Sequence, residues 1–331
     1  MARSGPGPVT VIIPAFDEEA SIGEVVSSVG GVLRRLDAPH EIIVVDDGSR
    51  DATRTRAGDA GARVIVHDRN RGYGAALKTG VVAARAETLL IVDADGTYPV
   101  DRIPAILAML QSADLVIGVR VGSNVKIPLV RRPAKWLLRR LAEYVAGAHI
   151  PDLNSGLRAF RRSTILTYLP ILPDGFSFTT TQTLGMLCDN YRVSAVPIDY
   201  HRRTGRSKVV PFDFFNLVSI ILRISMQFNP LKLFVPVALM CMGLGFGKLA
   251  LDLLFAVRRA GGPTLSILTT PTISPTTLIL MLGGLQILLI GMMSDGLARR
   301  IGHQRGAGIA PAQVEGLDPG VERQEREHRE G

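Results

Sequence analysis

The 331-residue sequence contains only two cysteines, Cys188 and Cys241, far apart in the chain. Cys241 falls inside a long apolar stretch, which argues against a disulfide and fits a reducing compartment. No G-x-x-x-x-G-K-[ST] run is present, so a P-loop nucleotide site is excluded. Gly72 and Gly74 share a loop without completing G-x-G-x-x-G, which argues against a Rossmann dinucleotide site. Val9–Ile13 is too short to be the apolar region of a secretory leader and ends at Pro14, so no leader is expected. The formal net charge of +8 is not interleaved with aromatic residues. Anionic lipid or phosphate is therefore the expected partner, and nucleic acid is not.

What is present centres on Leu89-Leu90-Ile91-Val92-Asp93-Ala94-Asp95-Gly96. The apolar run is short enough for a buried strand and ends in two carboxylates one residue apart. A strand that delivers Asp-x-Asp to a sheet edge offers hard oxygen ligands to Mg²⁺ or Mn²⁺, ions that commonly arrive with substrate phosphates. A bare D-x-D also arises by chance, so its surroundings decide.

Those surroundings alternate strands with helices. Val9–Ile13, Glu41–Val45, Arg63–His67 and Leu115–Gly118 read as strands, with helices over Ala75–Arg85 and Arg102–Gln111. Ser21-Ile22-Gly23-Glu24 has capping-box spacing, and Asp51 is placed to cap a further helix. The alternation predicts a parallel, doubly wound sheet. Glu18, Asp46, Asp47, Asp93 and Asp95 then fall along one edge, where ligands bind in open α/β sheets. Read alone, Asp46-Asp47-Gly48-Ser49 is equally a solvated turn.

Four blocks, Pro14-Ala15-Phe16-Asp17-Glu18, Val45-Asp46-Asp47-Gly48-Ser49, Asn70-Arg71-Gly72-Tyr73-Gly74 and Asp93-Ala94-Asp95, together resemble the family 2 glycosyltransferases. The resemblance implies a GT-A fold, Rossmann-like, and a nucleoside-diphosphate sugar donor, GDP- or UDP-linked. It implies that Pro14, Ala15, Glu18 and Asp46 surround the nucleoside, with Asp47 beside them. Asp93 and Ala94 would reach the ribose side, and Asp95 would hold the metal on the diphosphate. Lys78, one turn past the glycine loop, is a candidate for donor phosphate and equally a solvated helix lysine.

From Leu115 to Ala142 there is no acidic residue, while Arg120, Lys126, Arg131, Arg132, Lys135, Arg139 and Arg140 are all basic. Basic and apolar residues mix here as they do in helices lying on anionic bilayers, although a solvated cationic face gives the same pattern. Asp152-Leu153-Asn154-Ser155-Gly156-Leu157-Arg158-Ala159-Phe160 resembles the D-x-x-S-G-F-R block of the polyprenyl-phosphate glycosyltransferases, the dolichyl-phosphate mannose synthase group, with Leu157 for Phe. Arg203-Thr204-Gly205-Arg206-Ser207-Lys208 is similar to that group's R-x-G-x-S-K loop. Trp136 follows Lys135, so the Q-x-x-R-W block of processive synthases is absent. The resemblance implies that Arg120, Arg132, Arg139, Ser155, Arg158, Arg203, Ser207 and Lys208 meet an acceptor phosphate. It makes Asp152 the candidate general base, though a turn cap is an equal reading.

Beyond residue 210 the pattern changes. Residues 211–230 suit an interfacial amphipathic helix, and 231–298 hold two apolar stretches, Leu233–Val257 and Thr276–Met293, each long enough to span a membrane. Lys248 and Asp252 are spaced i to i+4 in the first and are expected to pair. Basic residues flank both ends of the hairpin, which predicts a multi-pass cell-membrane protein with head and termini cytoplasmic. Residues 299–331 are expected to be disordered. The resemblance implies inverting, metal-dependent transfer of a hexose-type sugar to a polyprenyl monophosphate at the cytoplasmic face, a pattern also compatible with a homo-oligomer. Transfer to another lipid such as diacylglycerol, and an inactive nucleotide-sugar-binding scaffold, remain as alternatives.

Overall fold

The computed structural model describes residues 7–121, 140–148, 150, 152, 155–199, 219, 222–223, 225–226, 228–259 and 273–306. Arg132, Arg139, Arg203, Ser207 and Lys208 lie outside these, as do most of the stretch expected at the interface and the tail beyond residue 306. The chain divides into two compact units, with the break between Ile220 and Ile221.

The first unit is built on β1 (Val9–Ala15), α1 (Ile22–Arg35), β2 (His40–Asp46), α2 (Thr53–Asp59), β3 (Arg63–Val66), α3 (Tyr73–Ala83), β4 (Thr88–Ile91), α4 (Ile103–Met109), β5 (Leu115–Val121), β6 (Arg158–Arg161), α5 (Arg162–Tyr168), α6 (Phe178–Cys188) and β7 (Val193–Asp199). The seven strands lie in the order β3-β2-β1-β4-β6-β5-β7. Every residue of β1 is buried, as expected of a central strand covered by helices on both faces. On α1, Ile22, Val25, Val26, Val29 and Leu33 form a stripe at helical spacing and are buried in the core. Each such side chain contributes roughly 1.5–3 kcal/mol by leaving water.

The expectation of a wholly parallel sheet needs one correction. Between β4 and β5 lies β6, antiparallel to both. Only four residues long, it gave no alternating pattern of its own inside the motif block that contains it. Its reversal matters: the chain reaches β6 from the edge where β4 and β5 end, so it delivers residues 155–157 to that edge. Two smaller corrections concern local signals. Ser21 makes no side-chain cap bond to α1, so the capping box does not form. Pro14 does not stop β1, which continues to Ala15. Pro14 shares strand parity with Ile12, whose carbonyl accepts from Val92 on the β4 side. Its donorless nitrogen thus faces β4 beyond that strand's last paired residue, Ile91, where no ladder bond is lost.

The second unit contains two long helices, Pro230–Arg259 and Pro275–Gly306. Both are long and apolar enough to cross a membrane. The later helix continues through residues 299–306, which were expected to belong to the disordered tail. Gly245, Gly284 and Gly291 let the pair approach closely, since a Cβ at each would lie within 2.7 Å of a side chain on the other helix. Lys248 pairs with Asp252 as the spacing predicts. Asp252 also accepts from the Ser274 amide (3.0 Å) and the Thr277 hydroxyl (2.7 Å), so one helix caps the start of the other.

Candidate active site

The site lies where the strand order switches direction. From β1 the sheet grows through β2 and β3 on one side and through β4 on the other, leaving a crevice at the carboxyl ends. The loops after β1 and β2 are laced together there. Asp17 takes a left-handed conformation (φ 49°), its amide donates to Ser49 Oγ (2.9 Å), and its carboxylate accepts from the Arg50 amide (2.8 Å). The Glu18 amide donates to Thr53 Oγ1 (2.8 Å), and the Glu19 amide to Asp51 (3.1 Å). Asp51 also accepts from the Thr53 amide (2.9 Å), one residue before the N-cap position, which Ala52 occupies. Pro14, Ala15, Glu18 and Asp46 are thereby brought to one corner. Asp46 is buried and accepts from the Ser49 amide (3.0 Å).

Asp47 departs from the expected donor contact. It is buried, and its carboxylate is taken up by the chain itself. Oδ1 accepts from the Arg71 amide (2.9 Å) and lies 2.6 Å from His67 Nδ1, while Oδ2 accepts from the Gly72 amide (2.8 Å). Lys78 is likewise engaged: its ammonium donates to Asp174 (2.7 Å). Gly72 and Gly74 pack against the 173–175 loop, where a Cβ would fall 2.5 Å from Asp174 O and 2.2 Å from Pro173 O. The glycines serve close backbone approach.

Beyond β4, Asp93 and Asp95 stand at the crevice with Ala94 buried between them. Asp95 accepts from the Thr97 amide (3.1 Å) and hydroxyl (2.6 Å), which fixes its carboxylate. Asp93 accepts from the Tyr73 hydroxyl (2.9 Å). Burial, then repulsion from Asp95, pushes the Asp93 carboxyl up to about 6, partly offset by the Tyr73 bond and by Arg158 and Arg120. The Tyr73 phenol is raised well above its ordinary range, first by burial and then by Asp93, so it stays a donor. Gly156 lies against this carboxylate, since a Cβ there would sit 2.1 Å from Asp93 Oδ2. The Gly156 amide donates to the Tyr98 hydroxyl (2.7 Å).

Antiparallel pairing of both β4 and β5 with β6 puts their carboxyl ends on one side, so Arg120 of β5 shares the edge with Asp93. Arg120 grips Asp152 with two bonds, Nε to Oδ2 (2.8 Å) and a terminal nitrogen to Oδ1 (2.9 Å). The two residues expected to act separately, as phosphate ligand and base, thus form one bidentate pair. Arg158 is a clear correction. It is fully buried, and its guanidinium donates to Ser155 O (2.9 and 2.6 Å), Thr179 O (3.0 Å), Gln182 Oε1 (3.2 Å) and Thr183 Oγ1 (3.2 Å). Burial lowers its pKa, which nearby Tyr73 and Asp152 oppose. Ser155 is also fully buried, beneath the surface rather than on it. Buried in this way, Arg158 holds the motif in shape through bonds to the chain itself.

The donor set suits a hard divalent cation. Asp93 and Asp95 supply carboxylate oxygens and repel each other, a strain that positive charge relieves. Among the described residues no group of three His, Cys, Asp or Glu side chains could hold a metal by itself, so such an ion needs oxygens from elsewhere.

Residues 10–169 match the description "Glycosyl transferase family 2", and residues 229–299 match "GtrB C-terminal hairpin". The chain carries a family 2 glycosyltransferase domain followed by a GtrB-type hairpin. A dolichyl-phosphate hexose transferase of Haloferax volcanii is 29% identical over 214 residues, 62% of this chain and 87% of that protein. An undecaprenyl-phosphate 4-deoxy-4-formamido-L-arabinose transferase of Pseudomonas fluorescens is 28% identical over 253 residues, 72% of this chain and 70% of that protein. Glucosyl-3-phosphoglycerate synthase from Mycobacterium tuberculosis aligns at TM-score 0.48 with 24% identity, over 68% of this chain and 79% of that one.

Within the glycosyltransferase domain, four side chains at this edge were not foreseen as participants. Tyr73 and Tyr98 sat inside or beside named motifs but carry no spacing signal for a hydroxyl. His67 closed a strand without pattern. Phe176, 58% exposed, stacks on Tyr73 with ring centroids 5.5 Å apart. An exposed aromatic just after a Pro-Asp-Gly turn was the one legible hint.

Proposed function

We propose that this glycosyltransferase moves a hexose-type sugar from a nucleoside-diphosphate donor, GDP- or UDP-linked, to a polyprenyl monophosphate with inversion, assisted by Mg²⁺ or Mn²⁺. The observation that carries this reading is the placement of Asp93 and Asp95 on the same sheet edge as the Arg120–Asp152 pair. Acidic groups for a metal-bound diphosphate and a cation for an acceptor phosphate then stand side by side. The named activities of the Haloferax and Pseudomonas relatives support the acceptor class.

The corner formed by Pro14, Ala15, Glu18 and Asp46 receives the nucleoside. Asp95 would hold the cation, which would supply charge stabilisation to the departing diphosphate. Asp93 lies next to it, kept in place by Tyr73. Arg120 meets the acceptor phosphate, and Asp152 aims Arg120. A phosphate monoester is largely dianionic at neutral pH, since its second pKa lies near 6, so the nucleophile needs little help from a base. Asp152 is therefore a positioning group first. Arg132, Arg139, Arg203, Ser207 and Lys208 complete the acceptor side in this reading. The hairpin anchors the enzyme in the cell membrane, with head and termini on the cytoplasmic side, because basic residues flank the spans.

A thermal-shift screen of nucleoside-diphosphate sugars with Mn²⁺ tests the donor half. A donor that binds only the folded chain raises its unfolding temperature. A rise with one GDP- or UDP-sugar that disappears in chelator is expected. No response to any nucleoside-diphosphate sugar contradicts the proposal.

A further inference from the structure

His67 belongs to none of the groups assigned to donor, acceptor or metal, yet it is buried at 6% exposure and held at both ring nitrogens. Nδ1 lies 2.6 Å from Asp47 Oδ1, and Nε2 lies 2.9 Å from Thr79 Oγ1. Asp47 in turn accepts from the Arg71 and Gly72 amides, and its own amide donates to Ala15 O (2.8 Å). The residue after Gly72 is Tyr73, whose hydroxyl reaches Asp93. Hydrogen bonds thus lead from a buried imidazole to the Arg71 and Gly72 amides, and the chain itself then leads through Tyr73 to the reacting edge.

We propose that His67 is a positioning residue for sugar transfer: by fixing the Asp47 carboxylate it holds the Arg71–Gly72 amides and so sets the Tyr73 hydroxyl on Asp93. This rests on the transferase reading above. The physical reason lies in the rotation of a carboxylate. Two amides of one loop leave Asp47 able to swing about its last bond with the loop following it. The imidazole supplies a bond from a second direction, and Thr79 fixes the imidazole from behind. Thr79 lies on α3, the helix that Tyr73 begins, so the ring ties the start of the loop to the body of the helix. The carboxylate only accepts, so Nδ1 is the donor to Asp47, and the Thr79 hydroxyl, which can donate or accept, serves Nε2. A buried histidine with satisfied nitrogens is ordinarily only packing. This one differs because the loop it holds runs directly into Tyr73, whose hydroxyl meets the carboxylate beside the proposed metal ligand.

The test uses the full chain with His67→Ala, His67→Asn and Thr79→Val, each alone and combined with Tyr73→Phe. Transfer kinetics are read alongside hydrogen exchange of the Arg71 and Gly72 amides. His67→Ala should speed exchange at those two amides and lower kcat/KM for the donor about 10-fold, the loss of a charge-assisted hydrogen bond. The acceptor KM should stay within about twofold, because the network does not reach Arg120. Asn can place its amide nitrogen near the Nδ1 position and should restore most of the activity. In the Tyr73→Phe background His67→Ala should cost less than about a further twofold, because both act through one contact. Effects that multiply in the double variant, an unchanged donor kcat/KM, or unchanged amide exchange overturns the proposal. Should His67→Ala fail to fold, Thr79→Val carries the same comparisons with an effect of roughly threefold. If the wild-type chain transfers no sugar, the transferase reading fails, and unchanged exchange at Arg71 and Gly72 still decides separately against His67.

Discussion

Arg120 and Asp152 face each other fork to fork, 32 residues apart in sequence, at 2.8 and 2.9 Å. A planar guanidinium and a planar carboxylate fix each other's orientation in a way that a lysine cannot reproduce. Arg120→Lys should therefore keep the charge and still lose function. Its acceptor KM should rise roughly 10-fold or more, the equivalent of a charge-assisted bond, and Asp152→Asn should behave similarly. Steady-state kinetics with varied polyprenyl phosphate check this. A normal acceptor KM in Arg120→Lys would mean that orientation is unimportant.

The next prediction concerns pH. The Tyr73 hydroxyl bonds to the ionised form of Asp93 and lowers a pKa that burial and Asp95 raise to about 6. Tyr73→Phe removes the lowering contribution, so Asp93 takes up its proton at a higher pH. Protonation removes charge from the proposed metal edge, so activity falls as pH falls. The acidic limb should shift upward by up to about one unit, the size of a hydrogen bond's 0.5–1.5 kcal/mol expressed in pKa. The acceptor phosphate also titrates near 6, but its pKa is untouched by the substitution. A pH–rate profile of the two forms makes the comparison.

Gly156 tests how tightly Asp93 is packed. A methyl group at this position would lie 2.1 Å from Asp93 Oδ2, so the carboxylate or the backbone must move. Gly156→Ala should lower stability by about 1–3 kcal/mol and lower transfer more than the loss of folded protein explains. Chemical denaturation and activity, measured on the same preparation, separate the two effects.

Arg158 should respond differently from Arg120. Its guanidinium satisfies buried backbone and side-chain acceptors on residues 155, 179, 182 and 183. Arg158→Leu strands those acceptors and should cost about 2–5 kcal/mol of stability. Thermal unfolding gives the answer. A variant of wild-type stability with a raised acceptor KM would return Arg158 to the phosphate-binding set.

The sequence made the outer frame of this molecule readable for physical reasons that its residues display. Apolar runs ending in Ala15, Asp46 and Asp93 announce strands and their ligand edge together, because a strand covered on both faces leaves polar groups only at its ends. The two membrane-length helices were visible from length and apolarity alone. What could not be read depends on partners distant in sequence. Asp47 and Arg158 lie inside named motifs and read there as ligand contacts. Their burial follows from amides and carbonyls on residues 71, 72, 155 and 179, which no local pattern identifies. Lys78 has the correct spacing for a phosphate ligand and instead meets Asp174, 96 residues away. The antiparallel β6 was hidden for a related reason: four residues inside a motif carry too little periodicity to declare a strand.

The central claim is that Asp95 holds a cation on a nucleoside diphosphate while a polyprenyl phosphate takes the sugar. The most direct measurement incubates the purified full chain with labelled GDP- and UDP-sugars, Mg²⁺ or Mn²⁺, and vesicles carrying either polyprenyl phosphate or diacylglycerol. The account predicts labelled product from polyprenyl phosphate alone, lost on chelation and restored by metal. It also predicts none from Asp95→Asn, a variant that retains the acceptor oxygen for Thr97 and unfolds like the wild type. Label appearing only in diacylglycerol, or near-normal transfer by folded Asp95→Asn, would contradict it.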